Sequence, residues 1–277
     1  MNLTAALGLL TLCLSAPLVR AQEPPAQPPA PVPDAPSKSR ENRDGNFLSL
    51  AVFYWRTQGD PRMLGGKLSF DPSKQDLVFP GKPKETPGVE LTFPAGKYNR
   101  IEISGFETRG SGSFTATKGL NIFGGNISTG DFLAVRYKVR NIKFDWNYLT
   151  YPVPPDAKLR VRTYIGGQYT RIEPVFDLPL LTTPAQLMGK KTILYPVFGL
   201  GVELVPSKHF LFEVKGSGFG FPHRSVYWDG EATAIIRLGP VEVFGGGKAY
   251  HFKTSPQKEE YFLGTLYGPF GGLRFVF

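Results

Sequence analysis

The sequence predicts an all-β chain, an antiparallel up-and-down transmembrane β-barrel of about ten strands, with eight as the alternative count. Three observations lead there. Period-two alternation recurs from residue 46 onward, in runs separated by turns that are alternately tight and long. One phase of these runs is apolar and the other is ionic, which suits strands with lipid on one side and an enclosed interior on the other. After residue 20 no apolar window is long enough for a membrane helix, so a crossing has to be made by strands.

Composition narrows the function classes. The chain is 41% hydrophobic and 13% aromatic, with 32 glycines, and lacks the Leu/Ala/Glu/Lys runs of helical proteins. Cys13 is the only cysteine, so a chain that loses its leader has no thiol for disulfides, nucleophilic catalysis or thiolate metal sites. The net charge of +9 comes without a compact Lys/Arg cluster. Nucleic acid is therefore not expected as a partner, and the excess favours anionic lipid headgroups. No cofactor or metal is expected.

Residues 1–21 have an apolar centre and end in Val19-Arg20-Ala21, which reads as a signal peptide. Residues 22–45 are rich in proline and then in charge. They cannot bury apolar surface and are expected to form an extended periplasmic tether, with a periplasmic partner as its possible ligand. The barrel is expected over 46–277. Its first strand, Asn46 to Arg56, carries Leu48, Leu50, Val52 and Tyr54 on one face. About thirty irregular residues then form a long outer loop before Val89 to Phe93. A short turn leads into Arg100 to Thr108, with Ile101 and Ile103 outward, and a second long loop runs to about Gly130.

Phe132 to Tyr151 changes phase partway. Leu133, Val135, Tyr137 and Val139 share one parity, and Ile142, Phe144, Trp146 and Tyr148 share the other. A β-bulge near Arg140-Asn141 would bring both sets onto one face. Lys158 to Phe176, Thr192 to Val205, Phe210 to Phe221, Val226 to Gly239 and Val241 to Phe252 then alternate in turn. Aromatic residues near strand ends, among them Tyr54, Trp55, Trp146, Tyr227 and Trp228, are expected in interfacial girdles.

Tyr261 to Phe277 is the closing strand, with a greasy phase that ends on a terminal aromatic residue. Through Tyr267, Leu273, Phe275 and Phe277 it resembles the closing strand of bacterial outer-membrane β-barrel proteins, whose final Phe serves as an assembly signal. The resemblance implies export to the outer membrane and partners in the barrel assembly machinery, outer-membrane lipid and lipopolysaccharide. Arg136, Lys138 and Arg140, expected above the bilayer, are the candidates for lipopolysaccharide phosphates.

The alternation sends Arg100, Lys143, Arg160, Arg162, Lys215, Arg237, Lys248 and Arg274 into the lumen. Glu90, Glu102, Asp145, Glu203, Glu213, Asp229, Glu231 and Glu242 go with them, eight cations against eight carboxylates. Balanced charge can satisfy itself by ion pairing, and about ten strands enclose little more than side chains. A largely filled interior follows, with a non-enzymatic structural or small-solute transport role. The alternative is a lipid-directed hydrolase. His223 and Ser225, two apart on one strand face with Asp229 nearby, resemble locally the outer-membrane lipid A deacylases, although Val226 stands where that family has Asn. An omptin-like protease would need paired acidic residues at the outer rim, and only Asp229 and His223 are placed to meet.

Overall fold

The structure, a computed structural model, describes residues 47–277 apart from 60, 66–75, 79–83, 118, 152–157, 180–184, 222–224 and 256–259. The expected leader (1–21), the expected tether (22–45) and His223 lie outside the described residues. Ten long strands form the wall: β1 (Ser49–Thr57), β2 (Lys84–Pro94), β3 (Asn99–Thr115), β4 (Phe132–Tyr151), β5 (Leu159–Leu178), β6 (Lys191–Ser207), β7 (Phe210–Phe221), β8 (Ser225–Leu238), β9 (Val241–Lys253) and β10 (Glu260–Val276). Each pairs antiparallel with its neighbours in sequence, and β10 returns to β1 with Leu273 opposite Val52. Closure satisfies the backbone of every strand across the bilayer, which an open sheet cannot do.

The tight turns lie at one end. Lys208-His209 joins β6 to β7, and Gly239-Pro240 joins β8 to β9, with Gly239 in the left-handed region (φ 78°) that a glycine occupies without strain. At the other end the wall is extended. Arg62–Gly65 adds to β10 and Asp76–Val78 adds to it in turn, so part of the expected first loop is strand. The second expected loop is also partly strand, because β3 continues to Thr115 and a hairpin pairs Leu120–Ile122 with Gly125–Ile127. This hairpin buries Ile122 and Ile127 in the same apolar cluster as Met63 and Phe176.

The bulge expected at Arg140-Asn141 is not there. The β3–β4 register is unbroken from Thr115–Phe132 to Asn99–Tyr148, and the one shift between β4 and β5 falls at Leu149/Tyr151. Leu133, Val135, Tyr137 and Val139 instead face the interior and are buried, while Ile142, Phe144, Trp146 and Tyr148 face out. The sequence changes phase because the surroundings change. Below this level the wall has lipid outside and ions inside; above it the outside is polar and the inside is apolar.

The same inversion occurs on the adjacent strands at the same height. On β3, Ile101 and Ile103 point out beside inward Glu102, but above Gly105 the inward residues are Phe106 and Thr108, and the outward ones Glu107 and Arg109. On β5 the outward row passes from Leu159 and Ile165 to Arg171 and Glu173, while the inward row passes from Arg160 and Arg162 to Ile172 and Phe176. Phe106 is paired with Asn141, and Asn141 with Thr170, so the switch forms one horizontal line across three strands. β4 and β5 are 20 residues each, about twice what a tilted strand needs to cross a bilayer. The upper half of these strands stands clear of the apolar belt.

Candidate functional site: the barrel interior

The interior is built in three layers. The lowest is ionic and is drawn from every part of the wall. Lys143 on β4 reaches Asp229 on β8 at 2.8 Å and its own-strand neighbour Asp145 at 3.2 Å. Lys215 on β7 lies 3.2 Å from Glu102 and 3.6 Å from Glu90, and Lys248 lies 3.1 Å from Glu231. Nearer the short-turn end, Arg162 and Arg100 converge on Glu203 at 2.6 and 3.3 Å. Arg274 bridges Glu90 (2.9 Å) and Glu242 (3.2 Å), and Arg237 meets Glu242 at 3.0 Å. The space left between Lys143, Lys215 and the carboxylates around them is about 20 Å³, room for about one water.

The middle layer is neutral and hydrogen-bonded. The Tyr250 hydroxyl lies 2.8 Å from the Thr170 hydroxyl and accepts from the amides of Gln168 (3.1 Å) and Asn141 (3.4 Å). Above lies an aromatic and aliphatic plug. Trp55 packs edge-on against Phe106 at 5.3 Å, and Phe106 against Tyr250 at 5.4 Å. The Trp55 indole N–H donates to the Gly268 carbonyl (3.2 Å), so its one polar atom is satisfied within the plug. Val139, Ile172, Phe252 and Leu266 fill the remainder.

The charged residues that the alternation sends inward lie in the interior: Glu90, Arg100, Glu102, Lys143, Asp145, Arg160, Arg162, Glu203, Glu213, Lys215, Asp229, Glu231, Arg237, Glu242, Lys248 and Arg274. Arg160 and Glu213 are 2% and 5% exposed, whereas Leu200 is 61% exposed on the outer wall. A soluble barrel would place these the other way round. The neutral layer and the plug were not anticipated, and Trp55 and Tyr227, expected in interfacial girdles, are buried inside at 0% and 1%. The signal was available, since both share the inward phase of their strands.

Of the candidate hydrolytic residues, Ser225 and Asp229 are described and His223 is not. Ser225 opens β8 on the inward phase and is half-buried. Asp229 sits four residues further along, roughly 13 Å away in an extended strand. Its carboxylate is engaged by Lys143, Ser217 and Tyr227. His209 lies in a short turn, and His251 stacks on Trp228 at 5.4 Å on the outer wall. Among the described residues no group of three His, Cys, Asp or Glu is placed to share a metal ion.

On the outer wall, Arg136 pairs with Asp177 at 2.8 Å, and Arg140 and Lys138 approach Glu107 at 2.5 and 3.7 Å. These groups lie directly above the apolar belt. Tyr267, Leu273, Phe275 and Phe277 form one outward, exposed row along β10.

No protein-family model matches this chain, and no curated protein matches it in sequence. Solved structures do match. The Escherichia coli outer membrane protease OmpT aligns with a TM-score of 0.53 at 10% identity, over 83% of this chain and 97% of that one. The fold is that of the bacterial outer-membrane β-barrels. OprG from Pseudomonas aeruginosa (TM-score 0.42, 11% identity, 86% and 98% coverage) and Ail from Yersinia pestis (0.36, 8%, 83% and 99%) are also similar outer-membrane proteins. At these identities the likeness concerns the barrel alone, and the interior of this barrel has to be read from its own residues.

Proposed function

We propose that this chain is an exported, non-enzymatic protein of the bacterial outer membrane, with a structural role and a closed interior. The carrying observation is that an apolar plug sits on an ionic network that leaves about 20 Å³ at its centre. A passive pore needs a continuous wet path, and ten strands whose lumen is filled by side chains supply none. The belt of outward Leu, Ile and Phe side chains supports membrane residence. The outward row on β10 fits a signal read by the barrel assembly machinery.

Arg136, Lys138 and Arg140 stand where the belt ends, at the height of anionic headgroups. We assign them to lipopolysaccharide phosphates, which bidentate guanidinium groups suit. The long-loop end then faces outward and the short turns face the periplasm. Planar-bilayer recording of the purified barrel tests the central reading: a steady conductance would overturn it. Lipid A mass analysis of cells carrying Ser225→Ala is the companion measurement, and an altered lipid A profile would replace the structural role with hydrolysis.

A further inference from the structure

The short-turn end of the interior opens into a cavity of about 360 Å³, room for about twelve waters. Its wall carries both signs in equal measure, five guanidinium groups and five carboxylates, with Lys208 and His209 at the rim. A simple ion finds little net charge to neutralise there. The wall is still rich in hydrogen-bonding capacity, because a guanidinium has five donors and a carboxylate about four acceptor sites, more than their mutual pairs consume. Arg100, Arg237 and Arg274 keep 17%, 17% and 18% of their side-chain surface exposed. The occupant such a wall suits carries both signs itself.

The first described residues lie at this mouth. Phe47 lines the cavity, Leu48 points to the outer wall, and the Leu48 carbonyl accepts from the Phe277 N–H at 2.9 Å, so the backbone is held to the barrel from here onward. Just before it come Arg40-Glu41-Asn42-Arg43-Asp44-Gly45-Asn46, two acids and two bases followed by a Gly-Asn pair that favours a turn. At about 3.3 Å per residue, Asp44 lies within roughly 10 Å of Phe47 and Glu41 within roughly 20 Å. The proline-rich stretch upstream, 22–36, has Glu23 and Asp34 but no base.

We infer that residues 40–46 fold back into the mouth and dock on its mixed wall, Glu41 and Asp44 against guanidinium groups and Arg40 and Arg43 against carboxylates. Because the segment is joined to the first strand, its docking is intramolecular, and individually weak contacts suffice at the high effective concentration this creates. The segment is then an anchor that fills the cavity, and the free tether begins upstream of it.

The test uses the full chain in non-ionic detergent with Cys13→Ser, so that one introduced thiol reports alone. Reaction with a bulky maleimide is timed for Asn42→Cys and for Gln27→Cys, each rate normalised to the same protein unfolded in urea. Asn42→Cys is expected to react about tenfold more slowly than Gln27→Cys. Adding Glu41→Lys and Asp44→Lys, which lie outside the barrel wall and leave its fold intact, makes every charge of the segment positive and should bring the two rates together. Equal rates before the reversal, or protection that survives it, would overturn the docking. Protection that falls on tenfold dilution would assign the segment to the mouth of a second copy and overturn it as well.

Discussion

The lower and upper halves of β3, β4 and β5 are the same strands under opposite rules. Below the line through Phe106, Asn141 and Thr170, the outward residues are Ile103, Phe144 and Ile165, and the inward ones Glu102, Asp145 and Arg162. Above it, Glu107, Lys138 and Arg171 face out, and Val139, Ile172 and Phe176 face in. The backbone pleat never breaks, so the side chains alone record where hydrocarbon gives way to water. The lower half is held by electrostatics enclosed in a low-dielectric shell. The upper half is held by apolar burial, like a soluble barrel.

The comparison predicts that the two halves fail differently. The largest effect is expected in the lower half from Glu203→Gln. That carboxylate serves Arg100, Arg160 and Arg162, and its loss removes the 2.6 Å partner of the buried Arg162 guanidinium. The expected cost is about 3–5 kcal/mol, read from the urea midpoint of the barrel in detergent. A change below about 1 kcal/mol would mean that water reaches this layer freely.

In the upper half the corresponding variant is Trp55→Phe, which removes volume from the plug and strands the Gly268 carbonyl. About 2 kcal/mol is expected. A smaller probe of the same region is Gly110→Ala. An added Cβ would come within 2.1 Å of the Tyr137 ring, so the ring must move, at a cost of about 1–2 kcal/mol. Gly247→Ala is its control on the outer wall, where a Cβ meets nothing within 4 Å, and it should leave the midpoint unchanged. Equal effects at the two glycines would undo the claim that the plug is packed and the outer wall open.

Much of this was legible in the chain. Alternation placed Arg160, Glu213 and Lys248 inside and Leu200 and Phe275 outside, because each strand presents two faces and only one of them can be ionic. What could not be read was the height at which that rule ends. From Leu133 to Tyr148 the apolar phase slips by one, and a bulge and an inversion of surroundings leave the same trace in sequence. Only register separates them, since a bulge shifts the partners and an inversion does not. Trp55 was misplaced for the same reason. An aromatic at a strand end fits a girdle or a plug equally well, and its parity, inward here, was the deciding feature. The hydrolytic alternative built on His223 and Ser225 turns on a histidine outside the described residues, so neither register nor burial bears on it.

The smallest effect on stability is expected on the outer wall, and it separates folding from function there. Replacing Arg136, Lys138 and Arg140 together by alanine breaks exposed pairs with Asp177 and Glu107, each worth a few tenths of a kcal/mol after solvent screening. The urea midpoint should therefore barely move. Next to them the Arg171 hydrogen bond holds the Glu173 carboxyl below its ordinary value, so this contact is intact above the usual carboxylate range and is lost as pH falls through the lowered value. At neutral pH the Arg171–Glu173 contact is intact in both proteins, so the difference between them is confined to the three replaced basic groups. Weaker retention of lipopolysaccharide by the triple variant at unchanged stability is the expected result. Equal retention would reduce these residues to solubilising charge on the part of the wall that stands in water.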